Sequence, residues 1–166
     1  MKKVSREYAK TQLSLYDIFH STEKELFDIL NADYIYRTGK HEGENIPYQS
    51  LYDKPVFKFL VKYFNEIVIK GVSNSYLTQI LKKSIEDEIE IVGNPEKMYE
   101  CSCCGYLTLS NRAEYDICRL CGWEDDGTPT SEYEKYSSVN GCTLQESKNK
   151  FLKNFHKKKI IFDKAI

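Results

Sequence analysis

Residues 101–122 read CSCCGYLTLSNRAEYDICRLCG and carry two Cys-x-x-Cys pairs, Cys101 with Cys104 and Cys118 with Cys121, separated by thirteen residues. No other stretch constrains the chain as strongly. A Cys-x-x-Cys turn folds back so that backbone N–H groups point at its first sulfur. The residue after the second cysteine then often needs a positive φ, which glycine adopts without a steric penalty. Gly105 and Gly122 stand at those two positions. Two such turns at the ends of a hairpin present four thiolates to one point, the tetrahedral all-sulfur arrangement of a structural Zn²⁺. The loop between the pairs is close to the length range of known zinc sites.

Two other uses of four cysteines are possible. Disulfides need an oxidising compartment. The opening MKKVSREYAKTQLSLYDIF has no long apolar core or small-residue cleavage site of the kind that directs secretion. An iron–sulfur centre also takes four cysteines, but the symmetric pairs and their glycines suit zinc better. The expected ligands are therefore Cys101, Cys104, Cys118 and Cys121, with Zn²⁺ in a structural role. Cys103 and Cys142 are left over and read as free thiols.

Around these cysteines the chain resembles a known family. The stretch YECSCCGYLTLSNRAEYDICRLCGWEDDG, followed by SSVNGCTLQESKNKF, is similar to the bacterial cysteine-rich CPCC family over about residues 99–155. That pattern has a Cys-Pro-Cys-Cys-Gly start, an aromatic-Asp-Ile-Cys second turn, a Trp-Glu-Asp-Asp run, then Asn and a Leu-x-Glu helix. Four positions depart from it: Ser102 and Arg119 stand where prolines are usual, Gly122 where an aromatic is usual, and Ala113 where glycine is usual. None of these removes a ligand. The resemblance implies a metal-binding module and no particular reaction. Some family members sit beside bacterial toxin genes.

At 166 residues the chain has room for one domain or two small ones, and 13 Tyr with 8 Phe favour a folded chain over disorder. The net charge of −1 becomes more negative when four thiolates hold a dication, so no strong field draws phosphates. No apolar run approaches the roughly 20 residues of a membrane span. A cytoplasmic protein without a membrane partner is expected.

The pattern along the chain predicts an α+β fold: a helical N-terminal region with short strands, then a zinc-ribbon-like β-hairpin module and a C-terminal helix. The expected domains are residues 1–97 and 98–166, with Gly93-Asn94-Pro95 as the chain break. The chain opens on a polar, helix-favouring segment, and apolar residues recur at helical spacing from Leu13 to Phe19. Thr22 and Glu25 form a capping box for a helix over about 22–31. Tyr34–Tyr36 and Ile67–Ile69 read as short strands. Residues 37–50 read as a loop rich in turn formers. Asp53 with Pro55 starts a second helix, Ser73 or Asn74 a third, and a strand is expected near 89–92. In the module, Tyr106–Leu109 and Tyr115–Ile117 are the expected arms of the ribbon, closed by Ser110-Asn111-Arg112, with Trp123 covering the site. Thr143 and Glu146 form a second capping box before a helix over about 143–157.

A four-sulfur site leaves no open position for a catalytic water, and His41 and Glu42 with the acidic run 124–126 form no recognisable catalytic set. The expected function is a non-enzymatic, zinc-stabilised protein-binding protein. Given the genes beside some CPCC members, the concrete expectation is an immunity protein that neutralises a bacterial toxin. Glu124, Asp125, Asp126, Glu132 and Glu134 are the candidates for contacting a basic toxin such as a nuclease. The alternative is a nucleic-acid-binding zinc ribbon using Lys148, Lys150, Lys153, Lys157, Lys158 and Lys159, although the overall charge argues against it.

Overall fold

The computed structural model describes residues 2–40, 48, 50–83, 87–157 and 159–165. His41, Glu42 and Lys158, named above as candidates, lie outside the described residues. The protein is a mixed α+β chain whose backbone divides into two compact units, residues 1–70 with 77–93, and residues 71–76 with 94–166.

In the first unit, strand β1 (Lys2–Ser5) lies parallel to β2 (Ile89–Val92), pairing Lys2 with Ile89 and Val4 with Ile91. The opening segment is thus a strand and not the start of a helix. Val4 and Ile89 are both buried, and this pairing across the unit outweighs the local polarity of the segment. Helix α1 (Arg6–His20) starts at once, with the Ser5 hydroxyl accepting from the Tyr8 N–H.

Helix α2 (Glu23–Thr38) begins at the expected capping box: the Glu25 N–H donates to the Thr22 hydroxyl, and the Thr22 N–H donates to the Glu25 carboxylate at 2.7 Å. It continues through Tyr34–Tyr36, expected as a strand, and ends where Gly39 takes φ 66°. The β-forming side chains are overridden because the intact helix satisfies their backbone groups, and Arg37 pairs with Asp33 one turn back at 2.7 Å.

Helix α3 (Lys54–Tyr63) carries Pro55 in its first turn, as the sequence indicates. The expected strand at Ile67–Ile69 is absent. The helix widens into a π-helical stretch over Phe64–Val68, closed by the Ile69 N–H donating to the Phe64 carbonyl at 2.9 Å. Ile18, Leu26, Leu30, Leu51, Val56, Leu60 and Phe64 form a core joining α1, α2 and α3.

Helix α4 (Asn74–Leu81) opens with the Ser73 hydroxyl accepting from the Tyr76 N–H at 3.1 Å. Its first residues belong to the segment 71–76, which is part of the second unit. There Val72 bridges Phe162, the Ser73 N–H donates to the Ile161 carbonyl at 2.8 Å, and the Gly71 N–H donates to Glu96 at 3.0 Å. Gly71 takes φ 75°, and a Cβ there would lie 2.5 Å from Met98 Cγ, so only glycine fits.

The rest of the second unit consists of paired short strands and one helix. Strand β3 (Tyr99–Glu100) pairs antiparallel with β4 (Leu107–Leu109), and β5 (Tyr136–Ser137) with β6 (Cys142–Thr143). Helix α5 (Leu144–Asn154) begins at the second capping box, where the Glu146 N–H donates to the Thr143 hydroxyl, and runs into a 3-10 turn over Phe155–Lys157. No helix among the described residues is long and apolar enough to cross a membrane.

Candidate metal centre

Each cysteine pair sits in its own reversed turn. In the first, the Cys101 N–H donates to the Tyr106 carbonyl at 3.0 Å and the Gly105 N–H returns to the Cys101 carbonyl at 2.8 Å. The second repeats the pattern: the Cys118 N–H donates to the Trp123 carbonyl and the Gly122 N–H to the Cys118 carbonyl, both at 2.8 Å. Gly105 and Gly122 take φ values of 76° and 80°. The Cys121 N–H also points at the Cys118 Sγ, 3.4 Å away.

This arrangement corrects the expected ribbon. Leu107–Leu109 pairs across the first cysteine turn with Tyr99–Glu100, not with Tyr115–Ile117. Ile117 instead bridges Glu124 across the second turn. The connection between the turns is a loop held open by its own polar groups. The Asp116 carboxylate accepts from the Ser110 and Asn111 N–H groups at 2.8 and 2.9 Å, and Ala113 and Tyr115 adopt φ values of 58° and 61°.

The two turns bring the sulfurs of Cys101, Cys104, Cys118 and Cys121 within 4.8 Å of one another. Cys101 Sγ lies 3.6 Å from Cys121 Sγ, and Cys104 Sγ 3.6 Å from Cys118 Sγ. An ion with four tetrahedral metal–sulfur bonds of about 2.3 Å sets its sulfurs roughly 3.8 Å apart. The donor set and its spacing therefore fit a metal ion. Cys101 and Cys118 are fully buried. Hydrogen bonding to Cys101, and then to Cys104 and Cys121, pulls the Cys118 thiol far down, and Cys104 and Cys121 are pushed up, again chiefly by Cys101. Four sulfurs this close share protons unequally until a cation replaces them, since metal ligation requires thiolates.

The shell around the sulfurs is apolar. Cys103, Leu109, Leu120, Trp123, Leu144, Phe151 and Phe162 pack with the ligand cysteines in one core. Trp123 is 1% exposed, consistent with its expected place over the site. Two polar groups, one on a ligand sulfur and one on the backbone just after the second turn, were not identified from the sequence. Thr108 Oγ1 lies 3.0 Å from Cys118 Sγ. Asn140 mimics a strand neighbour for Glu124, accepting from its N–H at 2.8 Å and donating to its carbonyl at 2.9 Å. The asparagine of the SSVNG stretch was the available signal for the second. An isolated threonine gives none.

The acidic run separates into different roles. Asp125, expected on a contact surface, is 0% exposed and cannot meet a partner in this fold. Its Oδ2 accepts from Arg112 Nε and from the Ala113 N–H, each at 2.8 Å, and pins the inter-turn loop beneath the second turn. Arg112 also donates to the Ser102 hydroxyl at 3.1 Å, which ties that loop to the first turn. Glu124 and Asp126 are half-buried, while Glu132 and Glu134 are exposed. Cys103 is buried, and Cys142 is half-buried.

Residues 99–156 match the family model described as cysteine-rich CPCC. The match begins two residues before Cys101 and ends just past α5, so it covers both cysteine turns, the acidic run and the helix behind them. The chain matches none of the curated proteins compared with it. Against the CPCC pattern, the structure accounts for one of the four departures and shows a second to be strained. Ser102 replaces a proline and gains a hydrogen bond from Arg112, and Ala113 replaces a glycine at a position that still has the glycine-type φ of 58°.

Proposed function

We propose that the protein is a non-enzymatic protein-binding protein built around a structural Zn²⁺, and that its concrete role is that of an immunity protein neutralising a bacterial toxin. The observation that carries this reading is the donor set: four sulfurs within 4.8 Å of one another. Such a set uses all four tetrahedral positions and leaves none for a reacting water. The metal holds the backbone in shape and polarises no substrate. Zinc is the preferred ion because it takes four thiolates without redox chemistry.

The binding role is supported by the exposed groups of the same unit. Glu132, Glu134, Tyr133 and Tyr136 are all exposed on the segment following the metal turns. Acidic residues interleaved with tyrosines suit a basic protein surface, the tyrosines supplying contact area and the carboxylates steering the encounter. Co-purification with the product of an adjacent gene, followed by a toxin activity assay at saturating protein, tests the proposal. A toxin that stays fully active refutes it.

The exposed lysines 148, 150 and 153 on α5 favour a second reading, nucleic-acid binding. A gel-shift series over salt decides between the two. A protein that releases phosphate counterions loses affinity steeply as salt rises, whereas absence of any shift at low salt removes this reading.

A further inference from the structure

The family match ends at residue 156, yet the core around the sulfurs does not. Residues 159–165 run back through the second unit and are held at both ends. At the start of the segment, Lys159 Nζ lies 5.1 Å from the centre of the Tyr76 ring, the Ser73 N–H donates to the Ile161 carbonyl at 2.8 Å, and Phe162 bridges Val72. At its end the segment pairs with the first cysteine turn. The Leu107 N–H donates to the Asp163 carbonyl and the Ala165 N–H to the Gly105 carbonyl, both at 2.9 Å, and Lys164 bridges Tyr106. Between these ends Phe162 is buried in the same core as the ligand cysteines, with Ile160 and Ile161 packed against it. The second cysteine turn meets the segment through a side chain. Arg119 lies between Cys118 and Cys121, and its guanidinium carbon is 4.8 Å from the centre of the Phe162 ring. A guanidinium over an aromatic face is attracted by the ring quadrupole, and its planar group stacks there better than an ammonium.

We propose that Arg119 is a positioning residue of the metal centre: its contact with Phe162 ties the second cysteine turn to a C-terminal segment already bonded to the first, and so slows the departure of the ion. This rests on the metal reading of the four cysteines. An ion leaves a four-sulfur site when the two turns part far enough for one sulfur to let go. A segment paired with one turn and clasped by the other resists that parting without offering a ligand. Neither Arg119 nor Phe162 supplies a donor to the ion; they act on it only through the turns. The working metal module of this chain is therefore larger than its family match. It includes residues 159–165, and through them the stretch 71–76 that bridges Phe162 and donates to the Ile161 carbonyl.

The test uses the full chain loaded with Zn²⁺ and follows metal release to an excess of a colorimetric chelator. Arg119→Ala and Phe162→Leu should each speed release about fivefold, the equivalent of one such ring contact. The double variant should be no faster than either alone, because both changes remove the same contact. Arg119→Lys keeps a cation for the ring and should restore most of the slow release. Deleting residues 160–166 should speed release further, since the pairing with the first turn is lost as well. Thr143→Ala weakens the cap of α5 in the same unit and should leave the rate unchanged, which separates lost positioning from lost stability. Loaded with Co²⁺ instead, the Arg119 and Phe162 variants should keep the sulfur-to-metal charge-transfer band of the unaltered chain, because all four ligands remain. Effects that add in the double variant, Arg119→Lys as fast as Arg119→Ala, Thr143→Ala as fast as either, or a changed charge-transfer band overturn the proposal. A chain that takes up no metal at the outset overturns the metal reading and this one together, whereas a chain that holds metal and releases it at one rate in every variant overturns this one alone.

Discussion

Cutting the contact between Arg112 and Asp125 from either end should have unequal effects. Asp125 is 0% exposed and Arg112 is 40% exposed in their side chains. The carboxylate holds two donors, Arg112 Nε and the Ala113 N–H, on a single oxygen. Hydrogen bonds to a charged group contribute about 1.5–3 kcal/mol each. When Asp125 becomes alanine, water reaches both freed donors, because Arg112 and Ala113 are at the surface. That recovery should hold the loss to about 2–3 kcal/mol, near the value of one such bond. When Arg112 becomes alanine, the buried carboxylate keeps only the Ala113 N–H. Removing one partner of a fully buried pair destabilises by about 3–5 kcal/mol, and with Arg112 itself 40% exposed the loss should lie near the lower end, about 3 kcal/mol. Adding Asp125→Asn to that variant removes the stranded charge, so the double variant should be more stable than Arg112→Ala alone, with a coupling of about 1–2 kcal/mol. Urea unfolding of the metal-loaded protein measures all of these. Its reporter is the fluorescence of Trp123, the single tryptophan of the chain, which is 1% exposed in the same unit. A double variant no more stable than Arg112→Ala would show that the charge is not the cause.

Replacing Cys118 with serine should abolish metal binding and unfold the second unit, because a structural zinc contributes about 10–16 kcal/mol in isolated modules; the Trp123 emission then shifts to the red, and an unshifted spectrum refutes the structural role. Ala113→Gly should stabilise by about 0.5–1 kcal/mol, the left-handed penalty of roughly 1–2 kcal/mol less the entropy of an added glycine, read from the urea midpoint. Thr143→Ala removes the cap of α5 and should cost about 1 kcal/mol in the same assay. The Thr22 N–H bonded to the Glu25 carboxylate holds its pKa below the usual value. Its contribution to stability is therefore present above pH about 4.3 and lost as pH falls through the lowered value. Glu25→Gln should flatten that part of the stability–pH curve.

Features written in short spans of sequence were legible in advance. Thr22 with Glu25 and Thr143 with Glu146 marked two helix starts correctly, because a capping box lies within four residues. The cysteine spacing and the glycine after each pair predicted a site the chain assembles from two local turns. Features that depend on distant partners were not legible. Lys2–Ser5 is a strand only because Ile89–Val92 lies beside it, and no window around residue 4 contains that information. Tyr34–Tyr36 and Ile67–Ile69 carry strand-forming side chains, yet helices already under way continue through the first and into the second. Asp125 sits in an acidic run that reads as solvated. Its burial follows from the loop folding back to bring Arg112 and the Ala113 N–H onto it. The pairing of strands across each cysteine turn, instead of between the turns, was likewise hidden, because alternation alone does not name a strand's neighbour.

The detour of residues 71–76 makes the two units inseparable by a single cut. A protease nick or a cloning boundary at Gly93 divides the polypeptide neatly on paper, yet the C-terminal fragment leaves behind the stretch that bridges Phe162 and donates to the Ile161 carbonyl. The released piece would carry all four ligand sulfurs and an unpaired strand edge at its tail. Such an edge invites a second copy to pair with it. Dissection would then yield a sticky, self-associating fragment, and intact chain is the material on which metal binding should be measured.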